Sequence, residues 1–87
     1  ISPLDKATVI QSVQKTGRFV AVHEAAKSFG PGAELIAVVN EGAFLSLEAP
    51  PTRLTGFDVT IPIPRGEHFY FLDPPRIAAG IKKVANY

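Results

Sequence analysis

The sequence predicts an α/β layered domain, and three observations carry that prediction. Phe19-Val20-Ala21-Val22 is a short apolar run with two β-branched valines, which reads as a buried strand. Residues 28–32 then break the chain twice with glycine and once with proline, and a helical pattern runs from Ala33 to about Leu47. A second extended candidate, residues 52–56, follows after Pro50-Pro51. Strand alternating with helix is the sign of helices layered on a sheet, and polar residues at the carboxyl end of a strand are where such folds keep their chemistry.

In chain order, Asp5 is the N-cap of a first helix reaching to about Thr16, and Gly17 is placed to end it. Val9, Ile10 and Val13 give this helix one apolar side, with Lys6, Gln11, Gln14 and Lys15 facing water. The strand 19–22 follows, closed by His23-Glu24. The second helix carries Leu35, Ile36, Val39, Ala43 and Leu47 at three-to-four spacing, widened by Val38 and Phe44, so it is covered on more than one side. Gly42 within it costs roughly 1 kcal/mol against alanine, which suggests close packing by another element.

Beyond residue 56, Pro62, Pro64 and Gly66 leave Val59-Thr60-Ile61 as a short extended piece at most. His68-Phe69-Tyr70-Phe71-Leu72 is aromatic and extended, suited to cover a sheet edge or meet a partner. Asp73 before Pro74 is an N-cap with proline at the first helical position. The last helix runs to about Asn86, with Ile77, Ala78, Ile81 and Val84 inward and Lys82-Lys83 in its last turn, where cations favour the dipole.

Eighty-seven residues make one small unit, and a chain this short buries only about 60–65% of its unfolded surface. A hydrophobic fraction of 46% and a charged fraction of 20% are those of a globular domain. The net charge of +1 gives no reason to expect nucleic acid or an anionic membrane as partner. Without cysteine there is no disulfide framework, thiol nucleophile or cysteine metal site. The apolar runs are far shorter than a membrane span. The opening Ile1-Ser2-Pro3 lacks an initiator methionine, so the chain reads as cut from something longer.

His23-Glu24 is the most suggestive pair for chemistry, since a histidine beside a carboxylate can act as a base. Adjacent strand residues point to opposite faces, however, so the two cannot pair while extended. The favoured reading is that His23 packs at the strand end while Glu24 caps a turn or meets a neighbouring subunit. Gly30-Pro31-Gly32 before a helix can cradle an anion. With no phosphate-loop lysine-serine pair it reads as a tight turn. Two histidines, His23 and His68, without cysteine make a zinc site improbable. Ser2, Ser12, Ser28 and Ser46 stand in no nucleophile-elbow context.

Val22-His23-Glu24-Ala25, then Phe29-Gly30 and Gly32-Ala33-Glu34, closely resemble the C-terminal (transketolase-type) domain of the β subunit of thiamine-diphosphate-dependent 2-oxo acid dehydrogenases, the pyruvate and branched-chain type. Ser2-Pro3-Leu4-Asp5 looks like that domain's helix entry, which in the family follows two strands and a helix. Leu47-Glu48-Ala49-Pro50 resembles its helix exit, and Arg53-Leu54-Thr55-Gly56-Phe57-Asp58 its next strand and turn. No single motif is specific, but four in this order and spacing make the resemblance strong, and it covers nearly all of the chain. One departure is visible: the family carries a proline after His-Glu-Ala and a Thr-Gly-Gly-Phe-like turn, where this chain has Ala26-Lys27-Ser28 before Phe29.

The resemblance implies a three-layer α/β/α domain around a mixed sheet, with two strands and a helix of the family's domain missing from this chain. It implies that the whole enzyme oxidatively decarboxylates a 2-oxo acid on thiamine diphosphate and Mg2+ and passes the acyl group to a lipoyl domain. The segment itself would hold neither cofactor nor catalytic residue, the family's catalytic histidines lying in other domains. Its implied partners are the α subunit, a second β subunit and the subunit-binding domain of the dihydrolipoyl acyltransferase. Its implied location is the cytoplasm of a bacterium or archaeon, or the mitochondrial matrix.

Four residues are the expected partner contacts: Tyr87 and Lys83 at the last helix end, and His23 and Glu24 at the strand end. In the family the end of the β chain meets a small basic domain, to which the Tyr87 ring and a terminal carboxylate would present an anchor and a charge. Glu48-Ala49-Pro50 and Asn86-Tyr87 lean towards the branched-chain type. Two other readings are the same domain of a transketolase or deoxyxylulose-phosphate synthase, and a free-standing interaction module of this fold.

Overall fold

The computed structural model describes residues 3–57 and 73–87. Helix α1 spans Lys6–Thr16, strand β1 Val20–Ala26, helix α2 Pro31–Ala43, strand β2 Thr52–Gly56 and helix α3 Pro74–Ala85, with one 3-10 turn at Phe44–Ser46. The segments 59–61 and 68–72, expected to be extended, lie outside the described residues.

Helix α1 begins and ends where its sequence places it. The Asp5 carboxylate accepts the Thr8 amide at 3.1 Å and the Thr8 hydroxyl at 2.7 Å, satisfying a donor that the first turn leaves open. At the other end Gly17 takes a φ of 73° and donates its amide to the Val13 carbonyl. Only glycine adopts that left-handed conformation without cost.

The valines of α1 and α2 make the core. Val13 and Val39 are fully buried with Ala43, and Val9, Ile10, Phe19 and Leu47 pack around them. Each such valine contributes about 1.5–3 kcal/mol of burial. Gly42 lets α1 approach closely: a β-carbon there would collide with the Ile10 side chain, as the sequence reading expects.

Three boundaries depart from the sequence reading. α2 starts at Pro31 rather than Ala33, because proline at the first helical position needs no amide partner and brings its φ preset. It ends at Ala43 rather than near Leu47, tightening into the 3-10 turn Phe44–Ser46. The changed pitch carries Phe44 out of the apolar stripe and leaves it 63% exposed, with Leu45 exposed beside it. β1 continues to Ala26 instead of ending at Val22. Of the four positions placed inward on α3, Val84 is buried and Ile77 half-buried, whereas Ala78 and Ile81 are exposed. The contact line runs through Ile77, Gly80 and Val84, with Leu54 filling the space under Gly80.

β1 and β2 pair in parallel, Val20 opposite Thr52, Ala21 opposite Arg53, Val22 opposite Leu54 and Ala26 opposite Gly56. Between Val22 and Ala26 the register shifts. Three residues of β1 there face one of β2, a bulge that bends the strand. Arg53 Cγ lies near Gly32 of α2 and Leu54 near Gly80 of α3. Adjacent strand residues point to opposite faces, so α2 and α3 cover opposite faces of the β pair. This is the helix–sheet–helix layering that the sequence reading expects. Among the described residues no helix is long and apolar enough to cross a membrane.

Candidate functional site

The four residues singled out from sequence fall into two places. His23 and Glu24 sit in the β1 bulge, towards the carboxyl end of the parallel pair. Lys83 and Tyr87 sit at the far end of α3, beside Thr52 and hence beside the opposite end of the pair. The structure joins each pair and separates the two pairs.

In the bulge, His23 faces inward and Glu24 is exposed. The backbone carbonyl of Ala25 lies 3.1 Å from Nδ1 of His23. A carbonyl can only accept, so Nδ1 carries the proton. Nε2 is buried, without a hydrogen-bond partner among the described residues, against Gly30 and Gly32 at the start of α2. The adjacent turn is tied to β2 by Arg53, whose Nη1 donates to the Lys27 carbonyl at 2.8 Å. Phe29, at the tip, holds a φ of 59° with its ring fully exposed. His23 therefore shapes the β1–α2 turn, and its Nδ1 is already engaged by backbone, so the arrangement does not make it a base activated by Glu24.

At the other end, Ala49, Pro50 and Thr52 form one wall of a hollow, and Lys83, Val84 and Tyr87 form the other. A wider groove continues from Tyr87 over Pro51 to Leu47, Leu45 and Phe44. Tyr87 is 73% exposed and donates its amide to the Val84 carbonyl at 3.4 Å. Lys83 is exposed in the last turn of α3. The arrangement offers an aromatic ring and a cation over a small apolar trough, which suits protein recognition better than covalent chemistry.

Two residues at this end were not among the expected partner contacts. Arg18 donates through Nε to the Val84 carbonyl at 3.2 Å and through Nη1 to Glu48 Oε2 at 2.6 Å. The available signal was local: a cation immediately after the helix-ending Gly17, and a carboxylate immediately before Ala49-Pro50. Nothing in the sequence reveals that the last turn of α3 meets them.

The fold, the β1 bulge and the glycine turn into α2 together define an α/β domain of transketolase C-terminal type. The family described as "Transketolase, C-terminal domain" matches residues 1–77, and the chain belongs to it. Among its relatives is the pyruvate dehydrogenase E1 component subunit beta of Acholeplasma laidlawii, 59% identical over 86 residues, which cover 99% of this chain and 26% of that protein. The 2-oxoisovalerate dehydrogenase subunit beta of Pseudomonas aeruginosa is 47% identical over 83 residues, covering 94% of this chain and 23% of that protein. The mitochondrial 2-oxoisovalerate dehydrogenase subunit beta of Dictyostelium discoideum is 45% identical over 87 residues, covering 100% and 23%. The chain thus spans about a quarter of the length of these relatives.

Proposed function

We propose that the chain is the C-terminal domain of the β subunit of a 2-oxo acid dehydrogenase, serving subunit assembly and acyltransferase docking rather than catalysis. The observation that carries this is the alignment of nearly the whole chain with β subunits named for pyruvate and for 2-oxoisovalerate. The complete enzyme would decarboxylate a 2-oxo acid oxidatively and hand the acyl group to a lipoyl domain.

Thiamine diphosphate and Mg2+ belong to that complete enzyme. Among the described residues no group of three or more His, Asp or Glu side chains converges as a metal site requires. The described residues offer no such cluster for the cofactor's metal, and no chemical step is assigned to them. The proposed location is the bacterial or archaeal cytoplasm or the mitochondrial matrix, the last in keeping with the naming of the Dictyostelium relative.

Two surfaces serve the partners. Glu24, exposed on the bulge that His23 supports, faces the α subunit or the second β subunit. Tyr87 and Lys83, with the trough beside them, receive the subunit-binding domain of the dihydrolipoyl acyltransferase. An exposed aromatic ring at the mouth of an apolar trough is the kind of anchor that dominates interface energetics. The test is Tyr87→Ala in the full-length β chain assembled with its α partner. Affinity for the acyltransferase's binding domain should fall by about tenfold or more. Decarboxylation measured with an artificial electron acceptor should stay unchanged. Unaltered affinity rules out docking at this end.

A further inference from the structure

We infer that Arg18 is the positioning residue of the docking surface around Tyr87, setting the distance between the two walls of its hollow. The inference rests on the docking reading above. One wall is the segment Ala49-Pro50 with Thr52, and the other is the last turn of α3 with Lys83, Val84 and Tyr87. Arg18 lines neither wall of that hollow. It stands behind both, holding Glu48 next to the first wall at 2.6 Å and the carbonyl of Val84 in the second at 3.2 Å.

The link to Tyr87 passes through a single atom. A backbone carbonyl oxygen has two lone pairs, and that of Val84 accepts both the Arg18 Nε–H and the Tyr87 amide at 3.4 Å. The last carbonyls of a helix lack intrahelical donors, and helix ends fray unless something holds them. A guanidinium there supplies a donor and a positive charge at the negative end of the helix dipole. Its fork can reach two acceptors in fixed directions, which a lysine ammonium on a flexible stem does not reproduce.

The opposite wall is held by the same short segment of chain. The Glu48 amide donates to the Gly17 carbonyl at 2.7 Å, one residue before Arg18. Gly17 has no room for a side chain, since a β-carbon there would stand 2.9 Å from Glu48 Cγ and 3.0 Å from the Ser46 carbonyl oxygen. The α1 end, the approach to Ala49 and the end of α3 therefore meet at residues 17–18. The Arg18 and Glu48 side chains are 37% and 62% exposed, so the ion pair itself stabilises little. Its contribution is geometric.

The experiment uses the full-length β chain in complex with its α partner, titrated with the acyltransferase's binding domain. Arg18→Ala should weaken binding by about fivefold or more. In a Tyr87→Ala background it should cause little further loss, because both changes disable one element. Arg18→Lys, which keeps the charge but reaches only one acceptor, should fall between. Amide exchange at Asn86 and Tyr87 should accelerate in Arg18→Ala, with that of α1 unchanged.

Three outcomes overturn the inference. Arg18→Ala binding like the parent while Tyr87→Ala binds weakly removes Arg18 and leaves the docking reading standing. Losses that multiply independently place Arg18 outside the positioning of Tyr87. Tyr87→Ala binding like the parent removes the docking reading and the inference with it. Should Arg18→Ala fail to fold, Arg18→Lys decides, and parental affinity with unchanged exchange at Tyr87 is then the contrary result.

Discussion

A β-carbon on Gly32 would stand 2.7 Å from Nε2 of His23, so the ring of the strand residue occupies the space a side chain at the start of α2 would need. The ring cannot easily swing aside, because the Ala25 carbonyl holds Nδ1. Gly32→Ala should therefore destabilise the domain by about 1–3 kcal/mol, the cost of overpacking a fitted contact. In a His23→Ala background the clash is gone and the same change should cost at least about 0.5 kcal/mol less. Urea unfolding of the four variants at low protein concentration measures the difference. Strict additivity would mean that the contact does not limit the approach of α2 to β1.

The same pair shows what could be read from sequence. His23-Glu24 stood out as a polar pair ending an apolar run, and Gly30-Pro31-Gly32 as a turn before a helix. Local rules also sufficed for Asp5, Gly17, Asp73 and Pro74, because caps act within one helical turn. The packing of His23 on the glycines was not legible, since it depends on a bulge created by pairing with a strand some thirty residues further on. The Arg18 contact to Val84 was hidden for the same reason, being made across a sequence separation of 66 residues. Ile81 misled because periodicity marks an apolar face without revealing how much surface lies opposite to cover it.

Phe29 holds a φ of 59°, a conformation that phenylalanine adopts at a cost of roughly 1–2 kcal/mol. Its ring is fully exposed, so replacement loses no packing within the chain. Phe29→Asn should equal or exceed the parent in stability, since asparagine tolerates the left-handed region. Phe29→Val should fall below the parent, since β-branching makes that region worse. Thermal midpoints ranked valine, phenylalanine, asparagine from lowest to highest support this account, and a valine variant at the top of the ranking contradicts it.

Asp5 gives the start of α1 a defined acid sensitivity. The Thr8 hydroxyl, and after it the Thr8 amide, donate to its carboxylate and hold its pKa below the ordinary aspartate value. A folded value lower than the unfolded one means that the stabilisation is present in full above about pH 3.9 and disappears as pH falls through the folded value. The Thr8 amide resonance should therefore titrate with a midpoint below about 3.9. Asp5→Asn should abolish that titration while keeping the cap. A midpoint at or above the ordinary value would show that the two donors do not favour the ionised form.

In isolation the 87-residue chain leaves two apolar corners exposed, one beside its sheet and one at the 3-10 turn. Among the described residues that sheet is one parallel pair, β1 with β2. Parallel strands normally lie buried between helices in wider sheets, and a two-stranded pair is at best marginally stable alone. Helices α2 and α3 cover the pair, yet Val22 remains 47% exposed and Phe57 52%. At the other end Phe44 and Leu45 project from the 3-10 turn, Leu45 almost fully into solvent. Neighbouring exposed apolar side chains such as Phe44 and Leu45 suit an interface. The chain covers only about a quarter of the length of its relatives. The isolated chain should accordingly sediment as a dimer or larger species. Leu45→Glu together with Phe44→Lys should shift it towards monomer without loss of helix content, because neither side chain belongs to the Val13–Val39 core. A monomer with a sharp unfolding transition in the unmodified chain would show that α1, α2 and α3 suffice to close the domain on their own.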